Sequence, residues 1–91
     1  MTTYKRDPGL PFQKMEEETI VVDPRTREVH LLNETAARVW ELLASSSTLD
    51  DLTETLAEEY DAPPEALRAG VEELLGGLQE KGLLVDVAGA A

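Results

Sequence analysis

Apolar residues alternate with polar ones, or run together in short β-branched stretches, up to about residue 32, and from there they recur at helical spacing. Thr19 to Asp23 reads Thr-Ile-Val-Val-Asp and Glu28 to Leu32 reads Glu-Val-His-Leu-Leu, with Pro24-Arg25-Thr26-Arg27 between them. Two runs of strand length and composition flank a polar turn with proline at its first central position, which predicts a β-hairpin. Phe12 to Glu16 is the candidate for a third, shorter strand beside it.

At Leu32 the period becomes helical: Leu32, Ala36, Val39, Trp40 and Leu43 fall on one face. Asn33 can accept a hydrogen bond from an orphan first-turn amide, and Glu34 sits favourably at the positive end of the dipole. A lone tryptophan at this spacing reads as a core anchor. Ser45 to Ser47 ends the helix. Thr48 with Asp51 three residues on approximates a capping box, and Leu49, Leu52, Leu56 and Tyr60 form the inner stripe of a second helix that stops near Asp61. The Pro63-Pro64 pair suits a helix entry, so a third helix runs from about Pro64 to Lys81 with Leu67, Val71, Leu74, Leu75 and Leu78 inward. Gly82 stands where a left-handed residue closes a Schellman cap and returns Leu83 against Leu78. Leu84 to Val87 reads as a brief extended stretch. Gly70, Gly76 and Gly77 each cost the third helix ~1 kcal/mol relative to alanine. They serve either close helix packing or the approach of a peptide backbone.

Residues 1–11 mix Pro8, Gly9 and Pro11 with charges and show no period, so they read as a flexible lead-in, with 88–91 a frayed tail and 12–87 the domain. The expected fold class is α+β, winged helix-turn-helix-like: a short N-terminal antiparallel sheet of two or three strands followed by three helices. At 91 residues and 42% hydrophobic the chain has material for one core.

Charge and composition narrow the function. Nineteen acidic against eight basic residues give a net charge of −11, a repulsive field toward any nucleic-acid backbone. These carboxylates are either a solvated surface or a preference for basic peptide segments. The absence of cysteine removes disulfides and thiolate metal sites and fits a reducing, cytoplasmic setting. Lys5 and Arg6 are followed by no apolar run, so neither export nor a membrane partner is expected. There is no phosphate-binding glycine loop, no metal-ligand spacing and no nucleophile with a base beside it. No catalytic residue and no cofactor is therefore expected.

The hairpin from Thr19 to Asn33, the run Glu34-Thr-Ala-Ala-Arg-Val-Trp-Glu-Leu-Leu43 and the closing Leu74-Leu-Gly-Gly-Leu-Gln-Glu-Lys-Gly-Leu-Leu84 resemble the PqqD family, small proteins of the RiPP recognition element class. The resemblance covers about Phe12 to Val85, and its most specific part is Leu32-Asn33-Glu34-Thr35-Ala36 leading to Val39-Trp40. Two positions depart from the family pattern. Pro63 stands where a serine-like or aspartate-like cap is expected, and the Arg25-Thr26-Arg27 turn lacks a glycine. The resemblance implies a non-catalytic chaperone that binds the leader segment of a ribosomally made precursor peptide. It would present that leader to a maturation enzyme, either a radical SAM protein, as in quinone cofactor synthesis, or a leader peptidase and cyclase, as in lasso peptides. It further implies that the leader adds as a strand along the last sheet strand, in a cleft walled by the third helix.

The residues accommodate that mechanism. If Thr19 to Asp23 pairs on one side of Glu28 to Leu32, the other edge, with Glu28, Val29, His30 and Leu31, offers unpaired amides and carbonyls. Leu67, Val71, Leu74 and Leu75 are the candidates for side-chain pockets, and Arg68 for a leader carboxylate; ordinary core packing is the competing use of the leucines. His30 alternates away from Val29 and Leu31, and a single histidine without cysteine is not a metal site. Arg25 and Arg27 either steer an acidic leader or do nothing measurable as exposed turn charges. The alternative functions are a winged-helix DNA-binding regulator or another acidic protein-protein interaction module. The DNA reading requires a basic helix face, and the third helix sets Arg68 and Lys81 against Glu65, Glu72, Glu73 and Glu80.

Overall fold

The computed structural model describes residues 3–86. Eight elements follow in the order β1 (Tyr4–Arg6), β2 (Phe12–Lys14), β3 (Thr19–Asp23), β4 (Glu28–Leu32), α1 (Glu34–Leu42), α2 (Leu49–Tyr60), α3 (Pro64–Glu80) and β5 (Leu84–Asp86). This is the expected α+β outline of a short antiparallel sheet followed by three helices. β2, β3 and β4 form a meander in that spatial order, with Phe12 opposite Val21 and Val21 opposite His30.

The expectation of a loose lead-in is corrected by β1, which pairs antiparallel with β5 through Tyr4↔Asp86, Lys5↔Val85 and Arg6↔Leu84. Tyr4 also exchanges both backbone hydrogen bonds with Ser47, at 2.8 and 2.9 Å, and the Arg6 amide donates to the Leu43 carbonyl at 2.9 Å. Three residues without a period carry no strand signal of their own. What orders them is a partner eighty positions away and the loop after α1. Arg6 then packs its guanidinium 4.4 Å from the Phe12 ring centroid and 5.7 Å from that of Trp40, and donates to the Trp40 carbonyl at 3.1 Å. The tail expected over 88–91 lies outside the described residues.

The core gathers Val21 from the sheet, Val39, Trp40 and Leu43 from α1, Leu52 and Leu56 from α2, Leu75 and Leu78 from α3, and Leu83 beyond it. Trp40 is fully enclosed, as its spacing predicts, with Phe12 edge-on at 6.0 Å between ring centroids. The caps hold as read: Asn33 accepts from the Ala36 amide at 2.9 Å, and Thr48 and Asp51 bond reciprocally. Pro63 makes no side-chain cap at α3, where Pro64 occupies the first turn and leaves one orphan amide fewer to satisfy. Tyr60, placed in the inner stripe of α2 by spacing, is 40% exposed at the helix end. An added Cβ at Gly70, Gly76 or Gly77 meets nothing within 4 Å, so close helix packing is not what these glycines serve.

α3 ends in the expected Schellman arrangement. The Leu83 amide donates to the Leu78 carbonyl at 3.0 Å and the Gly82 amide to the Gln79 carbonyl at 2.9 Å, with Gly82 at φ 74°. The cap turns the chain back so that Leu83 is buried and β5 can reach β1. Gly82→Ala, which forces a side chain into the left-handed region, is expected to cost about 1 kcal/mol. A thermal melt should show this as a drop of roughly 4 to 8 °C.

Candidate functional site

The register of the meander decides which groups are left over. In antiparallel strands the backbone polar groups of successive residues point to opposite edges. The Val22 amide donates to the Pro11 carbonyl at 2.9 Å, so Val22 faces β2, and Val21 and Asp23 face β4. Their partners His30 and Glu28 are thereby spent on β3. Val29 and Leu31 aim their amides and carbonyls at the far edge of β4, where no strand lies among the described residues. Their side chains are 64% and 60% exposed.

Beside that edge lies an open groove of about 740 Å³. One side is the β4–α1 junction, with Leu31, Leu32, Asn33, Thr35 and Ala36. Leu56 and Tyr60 close the α2 end. α3 supplies the long wall, with Leu67, Val71, Leu74 and Leu78 as its apolar members, Ala66, Gly70 and Gly77 as small ones, and Glu73 and Lys81 as charged ones. The helix contributes so much of the wall because positions 67, 70, 74, 77 and 81 fall on one face at intervals of three and four.

The residues singled out from sequence therefore separate. Leu31, Leu67, Val71 and Leu74 stand together in the groove, and Val29 flanks it on the open edge. Leu75 does not join them: it lies one helical step around from the wall and faces only the core, whereas Val71, equally part of the core, also lines the groove. Arg68, expected to be available to a leader carboxylate, instead donates from its guanidinium to Asp50 at the start of α2. Glu28 begins β4 with an exposed side chain. His30 is half-buried on the face toward the helices, and its Nε2 is enclosed without a hydrogen-bond partner among the described residues. Tyr60, Gly70 and Gly77 join the lining beyond the residues expected from sequence, where the two glycines signal themselves only as helix-weakening positions in an otherwise strong helix.

The groove's two walls are tied at one end by the hairpin turn. Asp23, 1% exposed, accepts from the Arg25 Nε at 3.0 Å, and the Arg25 Nη2 donates to the Gly82 carbonyl at 2.8 Å. Arg25 also lies 3.7 Å from the Asp7 carboxylate. Arg25 is thus an internal clamp between the β3–β4 turn and the end of α3 rather than a free steering charge. Arg27 holds φ 63° in this turn, a left-handed conformation that glycine adopts at less cost than any other residue. Between α1 and α2, Arg38 donates from Nε and Nη2 to Glu59, at 2.8 and 2.6 Å, and from Nη1 to Glu41 at 3.1 Å. Lys14 completes that network at 2.9 Å from Glu41. Among the described residues no His, Asp or Glu side chains group to hold a metal ion, and no helix is long and apolar enough to cross a membrane.

Fold and site together define a winged-helix-like α+β domain with a sheet edge left unpaired among the described residues, beside an apolar groove. The chain belongs to the PqqD family: the pattern described as Coenzyme PQQ synthesis protein D matches residues 18–84. Among solved structures the chain is similar to TbiB1 in complex with the TbiA(beta) leader peptide, at 19% identity and a TM-score of 0.81, covering 92% of this chain and 98% of that one. It is similar to the PqqD truncation of Methylobacterium extorquens PqqCD, described as a stand-alone RiPP recognition element, at 22% identity and a TM-score of 0.75, over 91% and 88% of the two chains. A heterocyclase in complex with substrate and cofactor carries a similar region at 21% identity and a TM-score of 0.66, which covers 97% of this chain and 11% of the enzyme. No curated protein matches the sequence.

Hydrogen bonding from Arg25 holds the Asp23 carboxyl below its usual range, against the opposing effect of its burial. A carboxyl whose folded-state pKa is depressed contributes stability above its unfolded value and loses it as the pH falls through the folded one. Hydrogen bonds from Lys14 to Glu41 and from Arg38 to Glu59 act in the same direction. The melting temperature is therefore expected to fall as the pH is taken from about 5 down to about 2. Asp23→Asn should already melt lower at pH 7 and show a shallower fall; melts across that range check both.

Proposed function

We propose that this protein binds the leader segment of a ribosomally synthesised precursor peptide by adding it as a strand to the open edge of β4. It presents that leader to a modifying enzyme and makes or breaks no bond itself. The observation that carries this reading is the pair of unspent backbone positions on one edge of β4, Val29 and Leu31, of which Leu31 lines the groove. The relatives support it. A protein of the same fold is in complex with a leader peptide, another is a RiPP recognition element, and a third similar region lies within a heterocyclase.

Magnitudes divide the work between edge and groove. Two amides and two carbonyls give four main-chain hydrogen bonds at ~0.5 to 1.5 kcal/mol net each, and ordering a flexible leader takes back about 2 to 5. The edge alone therefore fixes direction and register with little net affinity. A micromolar complex requires ~8 kcal/mol, so the groove must take several apolar leader side chains, each contributing roughly 1.5 to 3 kcal/mol. Leu31, Leu67, Val71 and Leu74 are the contacts assigned to them. Leu75 acts through the core, and Arg68 through Asp50. The modifying enzyme is of the kind that acts on leader-bearing precursors, a radical SAM protein or a leader peptidase and cyclase. The DNA-binding alternative has no basic face to stand on, because Glu65, Glu72 and Glu80 are exposed along α3 and its Arg68 is paired.

The test titrates a labelled leader peptide that binds the wild-type protein against two variants. Val29→Pro removes one outward amide, and an edge strand tolerates proline where its N–H faces solvent, so the fold should survive. Leu74→Glu places a charge in the groove at a half-buried position. Both are expected to weaken binding at least tenfold while circular dichroism and melting stay close to wild type. Unchanged affinity in a folded Val29→Pro variant would remove strand addition.

A further inference from the structure

Gly70 and Gly77 raise a question that the fold does not answer. Neither has the left-handed backbone that requires glycine, a conformation that Gly82 alone holds among the described glycines. Neither is needed for packing, since a Cβ at either position would meet open space within 4 Å. Yet each weakens α3, the helix that forms the long wall of the groove. Gly76 satisfies the same conditions. What distinguishes the other two is place: Gly70 and Gly77 line the groove and Gly76 does not.

Seven residues separate them, so they stand on one helical face roughly 10.5 Å apart along the axis. Leu74 lies between them on the same wall, and Leu31 and Tyr60 stand on the β4 and α2 sides. The wall therefore carries two recesses flanking one leucine. A side chain as small as alanine would begin to fill either recess without disturbing anything in the folded chain.

We infer that Gly70 and Gly77 are the specificity-determining positions of this groove: they set how large a side chain of a bound peptide it admits. This rests on the peptide-binding reading above and adds to it the class of peptide bound, one with large apolar side chains at the two places where the strand crosses the recesses. An occupant with small side chains would leave both recesses empty and forgo the contacts that the edge's hydrogen bonds cannot replace.

The test separates this inference from the reading beneath it. A display library of random 20-residue peptides is selected on the wild-type protein, and the enriched sequences are synthesised with a fluorescent label. Their affinities are measured by anisotropy for wild type and for Gly70→Ala, Gly77→Ala and Gly76→Ala. All three variants are expected to melt higher than wild type, by roughly 4 to 8 °C each, because each gains helix propensity without a clash. Gly70→Ala and Gly77→Ala should bind at least fivefold more weakly, and Gly76→Ala as wild type. Repeating the selection on Gly70→Leu should enrich peptides with smaller residues at one fixed position. Equal affinity across the three alanine variants, or a lowered melting temperature for Gly70→Ala or Gly77→Ala, would overturn the assignment. Failure of any peptide to enrich on wild type would sink the peptide-binding reading, and this inference with it.

Discussion

A strand has two edges, and among the described residues the pairing order leaves one edge of β4 unspent. β2 satisfies β3 from the other side, and β1 is drawn away to β5 by the returning end of α3. Parity then does the rest. Side chains and backbone groups both alternate along a strand, so the residues whose polar groups face the vacant edge, Val29 and Leu31, also carry the exposed side chains. A slip of one residue would exchange them for His30 and Leu32, bury the wrong set, and aim the spare hydrogen bonds from residues whose side chains belong inside. The hairpin turn prevents that slip: Asp23 and Arg25 bond to each other across it, and the Arg27 amide returns to the Asp23 carbonyl at 2.8 Å.

The same turn holds the groove's shape. By reaching the Gly82 carbonyl, Arg25 joins the start of β4 to the end of α3, and the Schellman cap that presents this carbonyl is itself closed by the buried Leu83. Along the other side, chain continuity through Leu32 and the Asn33 cap fixes α1 against the sheet. Both walls are thus positioned without a ligand. A preformed groove reserves more of the contact free energy for affinity, because less goes into ordering the protein. That matters for the proposed strand addition, in which four backbone hydrogen bonds barely offset the ordering of the peptide.

Much of this was legible from residue order. The hairpin, the caps at Asn33 and Thr48, the core role of Trp40 and the Schellman ending at Gly82 all rest on contacts within a few residues, where spacing carries the information. β1 was not legible, because Tyr4–Arg6 is a strand only through β5 and Ser47. The groove was legible as a helix face but not residue by residue. Leu74 and Leu75 are adjacent leucines in one helix, and a rotation of about 100° puts one on the wall and the other in the core. Arg68 looked free because its partner Asp50 is distant in sequence, and so is the Gly82 carbonyl that Arg25 reaches, although Asp23, the other partner of Arg25, is only two residues away. Periodicity tells which side of a helix is apolar; it does not divide that side between core and cleft.

An open edge flanked by exposed valine and leucine is also an invitation to a second copy of the same chain, the ordinary hazard of edge strands. Proteins commonly guard such edges with charges along the strand, but charges in place of Val29 and Leu31 would remove the apolar surface proposed for a guest strand. Here the guard is global. With a net charge of −11, two copies repel as they approach, and at physiological salt the repulsion acts over ~8 Å, the range in which two edges would have to meet. A short peptide that is neutral or basic meets no such barrier. The carboxylates scattered over the surface thus separate a self-encounter from a guest by charge alone, and the edge can stay bare without becoming sticky toward its own kind.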